Sequence, residues 1–227
     1  MTKPILEVCA YNVHTCMIAE GLGASRIELC GNPKEGGVTP GFGTLEYVIE
    51  NGALPVYVMI RPRGGNFVYD EHELDIMYKD IKMCKILGYK GVVLGILTPD
   101  NKINIEETRR LVEYAYPMGV TFHKAFDRTT DARQALEDVI QTGCERILTS
   151  GLREDALLGR ATLLQLINHA DDRIIIMPGG GVRSTNAAAI ITQTGAKEIH
   201  SSALVAGNTD FISDPGELRA LIAAINL

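Results

Sequence analysis

The feature that most constrains this chain is an apolar run of strand length followed by a helix-length segment, repeated from one end to the other. The first unit shows the logic. Ile5–Cys9 and Arg26–Cys30 flank a segment that closes at Gly21 and Gly23, the spacing of a parallel strand–helix–strand unit. Side chains alternate along a strand, so Glu7 and Cys9 share one face, and Arg26, Glu28 and Cys30 share one face of the next. Leu6, Val8, Ile27 and Leu29 lie opposite. Parallel strands of an open sheet are usually apolar on both faces. One polar and one apolar face instead fits a closed barrel, polar inside and wrapped in helices.

The pattern continues. Five glycines and two prolines between Gly31 and Gly43 exclude regular structure and mark a functional strand-to-helix loop. Thr44 is expected to cap a helix to Asn51, and Pro55–Arg61 reads as strand three. Asp70–Leu87 is an amphipathic helix closed by Gly88. Strand Gly91–Leu97 precedes a helix capped by Asn104, and strand Val120–Phe126 precedes one capped by Asp131 and ended by Gly143. Strand Arg146–Ser150 leads to helix Ala156–His169, strand Arg173–Met177 to helix Ser184–Thr194, and strand Lys197–Ser202 to helix Pro215–Ile225. Eight such units at intervals of roughly 25 residues specify an α/β fold, the (β/α)8 TIM barrel, as a single domain over residues 1–227. No Gly-x-Gly-x-x-Gly follows strand one, against a doubly wound dinucleotide fold.

A net charge of −6, a pI near 5.4 and no long cluster of Lys and Arg exclude nucleic acid and an anionic membrane as main partners. The N-terminal residues lack the apolar core of a signal peptide, and no run reaches a membrane span. Five unevenly spaced cysteines do not make a disulfide framework. A reducing cytoplasm is the expectation.

Barrels of this type work at the C-terminal end of their strands. The inward-phase or strand-end residues there are Glu7, Cys9, Glu28, Cys30, Arg61, Arg63, His123, Asp127, Ser150, His200 and Ser202. Two readings stand side by side. Glu7, Arg26, Glu28 and Arg61 form a balanced ion network with no chemistry, or the set binds and transforms a small phosphorylated or carboxylated metabolite. In the second reading Arg61, Arg63 and Ser150 hold the anion. Glu28, His123, Asp127 and His200 are the acid–base candidates. Gly179, Gly180, Gly181, Ser201 and Ser202 lie after strands seven and eight, where such barrels often bind phosphate.

Cys16, Cys84 and Cys144 read as small core residues. Cys9 and Cys30 end neighbouring strands in one phase, and two thiols there suit a soft ion such as Cu(I), although no CxxC motif supports a metal and spacing alone ranks plain packing above it. LEVC, RIELC with EGGVTP, MIRPRGG, VTFHKAFD, ILTSG, MPGGGV and EIHSSA, in that order from residue 5 to about 203, resemble the copper homeostasis protein CutC family. The resemblance implies a cytoplasmic TIM barrel, often a homo-oligomer, that binds Cu(I) through Cys9 and Cys30. It departs after strand eight, where only Leu204 to Asp214 separates strand from helix, which implies a shorter cover over the mouth.

Overall fold

The computed structural model describes residues 3–205 and 207–226. Its elements alternate: β1 (Ile5–Ala10), α1 (Val13–Leu22), β2 (Arg26–Leu29), α2 (Phe42–Asn51), β3 (Val56–Met59), α3 (Glu71–Leu87), β4 (Gly91–Leu94) and α4 (Ile105–Ala115). Then come β5 (Gly119–Phe122), α5 (Ala132–Thr142), β6 (Arg146–Thr149), α6 (Arg160–Ala170), β7 (Ile175–Pro178), α7 (Ala187–Thr194), β8 (Glu198–Ser201) and α8 (Pro215–Ile225). All strands are parallel and pair in chain order, and β8 returns to pair with β1 from Ile5↔Glu198 to Val8↔Ser201. β7 and β8 draw together at the remaining seam, where a side-chain carbon on Gly179 would lie 3.2 Å from His200 Cβ. The sheet is therefore a TIM barrel with its helices outside.

The outward residues of the strands make the main core with the helices. Val8, Leu29, Val58, Val92, Phe122 and Ile199 are inaccessible to solvent and meet Met77, Ile81, Leu111, Leu136 and Leu221. Local signals set the helix ends. Asp70 accepts from His72 N and Glu73 N while Glu73 reaches back to Asp70 N, a complete capping box.

Several boundaries differ from the expectation. Helix α2 starts at Phe42, not Thr44, with Gly41 as its N-cap. Helix α6 starts at Arg160 rather than Ala156, because residues 151–159 are held over the end of β6. There Ser150 Oγ donates to Arg153 O at 2.6 Å and Ala156 N to Gly180 O at 2.9 Å. Helix α7 begins at Ala187 rather than Ser184. Strand β5 ends at Phe122 and passes into a 3-10 turn over Lys124–Arg128, since His123 Nδ1 accepts from Ala125 N at 3.2 Å. Ala125 thus belongs to the outer core and not to the inner face with His123.

Inside the barrel, the lower level is an ion layer. Arg26 pairs with Glu7 and, at 2.6 Å, with Glu198. Arg146 holds Glu198 at 2.6 Å from the other side and Thr121 Oγ1 at 3.2 Å. Both guanidinium groups stand over the Tyr57 ring, 5.2 and 5.4 Å from its centre. Two cations and two anions balance, as burial requires. The expected ion network is present, with Arg146 and Glu198 in place of Arg61 and Glu28.

Candidate metal centre

The level above the ions is built from strand ends. β1 and β2 pair Cys9 with Glu28, and His200 on β8 stands opposite Glu7. Inner-face alternation then gathers Glu7, Cys9, Glu28, Cys30 and His200 at one end of the barrel, all buried. Ligand atoms of Cys9, Glu28 and Cys30 lie within 4.8 Å of one another, as do those of Glu7, Glu28 and His200. Cys30 Sγ lies 3.5 Å from Glu28 Oε2, and His200 lies 2.8 Å from Glu7 Oε1 and 3.7 Å from Glu28 Oε2.

The charges follow from these contacts. Burial raises the Glu7 carboxyl, but the His200 hydrogen bond and the Arg26 charge outweigh it and hold it at about 2. Burial disfavours charge on His200, yet Glu28, Cys9 and Glu7 keep its imidazolium well above the ordinary range. The Cys9 thiol is pulled well below its usual value by the hydrogen bond from Cys30, against burial and with help from His200 and Tyr11. Cys30 is pushed up by the same bond and by burial, and Glu28 by burial and the Cys9 charge. One thiolate, Cys9, is therefore favoured among donors that serve it.

Cys9 and Cys30 are not placed for a disulfide. Cys9 is level with Glu28, so Cys30 stands two residues further along the adjacent strand, roughly 8 Å away at Cα for ordinary strand spacings. A disulfide closes only below about 7 Å. The sulfurs converge while the backbones stay apart, the arrangement of a shared ligand. Two thiols with a carboxyl and an imidazole at hand fit a soft cation. Cys16, Cys84 and Cys144 differ: burial, the largest cause, raises each to about 12.

Other candidates are placed elsewhere. Arg61 does not face a mouth ligand. Its guanidinium lies 4.7 Å over the Phe67 ring and donates to Glu35 O at 2.6 Å, Gly37 O at 2.8 Å and Gly65 O at 2.9 Å. It straps down the loop after β2, where Gly31 and Val38 bridge and Gly37, at φ +95°, passes over the Cys30 sulfur. A Cβ on Gly37 would lie 3.2 Å from Cys30 Sγ, so bare backbone is needed there. Arg63 leaves the barrel for Glu73, Val68 O and Asn66. Asp127 spends its carboxylate on Thr149 and on Ser150 N, Ser150 Oγ and Leu152 N, a clamp for the loop after β6. Ser201 points outward and donates to Val182 O at 2.7 Å, and Ser202 O accepts from Ser213. Gly179 packs against Leu148 and His200, and Gly180 faces Lys124, whose ammonium donates to Ser150 Oγ at 3.2 Å. His123 Nε2 and Glu28 Oε1 are buried with no hydrogen-bond partner among the described residues.

Sequence reasoning missed Tyr11, Met59 and Lys124. Tyr11 and Met59 were legible, since each keeps the inner phase of Glu7-x-Cys9 and Tyr57-x-Met59. Phe211 and Ser213 lie against the start of α1, where Ser213 N donates to Thr15 Oγ1 at 3.0 Å and Asn12 Nδ2 to Phe211 O at 2.9 Å.

The strap role of Arg61 has a measurable consequence. Arg61→Lys keeps the charge but loses the planar fork that reaches three carbonyls. Amide exchange over residues 35–38 should rise and Cys30 should alkylate faster than in the wild type. Unchanged labelling would mean that the loop holds itself.

The CutC family profile matches residues 4–205. A family protein CutC from Xanthomonas campestris pv. campestris is 48% identical over 198 residues, covering 87% of this chain and 82% of the relative. A copper homeostasis protein cutC homolog from Mus musculus is 45% identical over 199 residues, covering 88% and 73%. A CutC crystal structure from Streptococcus agalactiae superposes with a TM-score of 0.82 at 37% identity, over 88% of this chain and 98% of that one. With the profile spanning the barrel from β1 to the end of β8 and relatives this similar, the chain belongs to the CutC family.

Proposed function

We propose that this protein serves copper homeostasis by holding Cu(I) between Cys9 and Cys30. One observation carries the reading: two buried sulfurs from adjacent strands meet at the working end of the barrel, with ligand atoms within 4.8 Å. Thiolates select Cu(I) over harder ions. His200, kept cationic between Glu7 and Glu28, offsets the negative charge that two thiolates around a monovalent cation leave behind. The reading includes a reducing cytoplasm, to which five free cysteines are suited. No helix among the described residues is long and apolar enough to cross a membrane.

Anaerobic Cu(I) titration against a competing chelator tests it. The wild type takes up one tight equivalent. Cys9→Ser and Cys30→Ser each lose it, and Cys84→Ser, altered in the outer core, keeps it. Equal stoichiometry and affinity in all four proteins removes the site.

A second reading, an enzyme acting on a small anionic metabolite, is favoured by the two orphaned atoms, His123 Nε2 and Glu28 Oε1. The guanidinium groups first expected to hold the anion are engaged elsewhere. Titration with inorganic phosphate, followed through the His123 and Gly180 resonances, decides it. Saturable shifts support it and a flat response removes it.

A further inference from the structure

β2 and β3 pair Glu28 with Tyr57 and Leu29 with Val58. The next residues in both strands, Cys30 and Met59, therefore stand opposite each other on the inner face. Cys9 comes from β1, one pleat lower and diagonal to Cys30. Three adjacent strands thus each send one sulfur side chain to the same place.

Met59 is 4% exposed and packs with Cys9, Cys30 and Val93 in a small cluster set apart from the main core. Its terminal methyl shares the floor beneath Gly37 with the Cys30 sulfur, at 3.7 and 3.2 Å from a Cβ placed on that glycine. A flexible thioether is a common gap filler, so packing alone is the competing account. The other neighbours able to add a donor are hard or occupied. Glu28 offers a carboxylate, which suits Mg, Ca or Mn rather than Cu(I). His200 is engaged by Glu7 at 2.8 Å.

We propose that Met59 lends its thioether as a third ligand to Cu(I) held by Cys9 and Cys30, which makes a trigonal three-sulfur site; this rests on the copper reading above. The thioether adds a soft donor without adding charge. Gly37 and the loop that Arg61 straps down close the site from above.

The test is copper K-edge absorption of anaerobically loaded wild type and Met59→Leu, a substitution that keeps volume. A chelator competition measures affinity alongside. The wild type should show three sulfur neighbours and a three-coordinate edge, and Met59→Leu two sulfurs and a two-coordinate edge. Affinity should fall by about tenfold or more, at least what loss of an outer-shell partner costs. Two sulfurs in the wild type overturn the role of Met59 and leave the Cys9–Cys30 site standing, and this spectrum decides even if the variant folds poorly. Unchanged spectra and affinity in Met59→Leu overturn it likewise. No tight copper in the wild type overturns the two-thiol reading and the third ligand with it.

Discussion

Arg26→Met should cost the barrel about 3–5 kcal/mol of unfolding free energy, the usual result of removing one partner of a buried ion pair. The reason lies in the inner layer. Arg26 stands between Glu7 and Glu198, and all three side chains are almost wholly enclosed. Without the guanidinium, Glu198 keeps only Arg146 and Glu7 only His200 as ion-pair partners among the described residues. Neither acid gains water in exchange. A urea titration reads the loss as a lower midpoint at an unchanged slope. The double variant Arg26→Met/Glu7→Gln should lose less than the two single variants summed, because the second change removes an anion that the first has stranded. A loss no larger than the roughly 0.5 kcal/mol of a surface change would mean that the lower barrel is wet and that the ion layer does not hold it.

The barrel was legible because its code is local and repeated. Arg-Ile-Glu-Leu at β2 alternates polar-in and apolar-out along its whole length, Glu-Ile-His at β8 does so up to Ser201, and at β6 the pattern holds for Arg146 and Ile147. Gly23, Gly88, Gly143 and Gly195 each end a helix in the left-handed conformation. The same alternation that placed Glu7 and Arg26 on the inner face applied equally to Arg146 and Glu198, whose partnership was left unread. The start of α6 was misplaced because a distant chain segment sets it. Nothing within Gly151–Gly159 says that Ala156 N is claimed by Gly180 O, so an apolar run there read as helix.

The candidate centre divides the same way. The convergence of Cys9 and Cys30 follows from strand phase and adjacency alone. The destination of Arg61 does not. Its inward phase pointed to the mouth, but its three carbonyl partners belong to loops whose course is fixed by the Gly31–Val38 bridge and the turn at Gly65. Asp127 likewise looked like a free acid past a strand end. Its acceptors are consumed by backbone donors at Ser150 and Leu152, which only the folded chain brings near.

His123→Gln should part from the wild type along the pH axis. Burial and then the Arg61 charge push the His123 imidazole from 6.5 down to about 3, and Phe67 lies against the ring at 4.9 Å. The folded chain holds the ring neutral while the unfolded chain protonates it near 6.5. Below that pH the unfolded state carries the extra proton, so stability falls with acidification until the folded ring takes up its own proton near 3. The cost reaches roughly 4 kcal/mol there. Well above 6.5 neither state is protonated and the contribution vanishes. The wild-type curve alone does not isolate it. Glu7 acts in the same direction, but only as pH falls from 4.5 to about 2. Glu28 opposes it: its raised carboxyl contributes fully below 4.5 and loses that contribution as pH rises. His200 contributes fully below 6.5 and loses its share on the alkaline side. All three are common to wild type and variant and cancel in the difference, and glutamine keeps an acceptor for Ala125 N. The difference in unfolding free energy should be flat above about pH 7 and shift by about 3 kcal/mol in favour of the variant between 6.5 and 4.5. A difference that stays flat to about pH 4, with the His123 ring titrating near its ordinary value by NMR, would place that ring in water and dissolve the packed upper wall of the barrel.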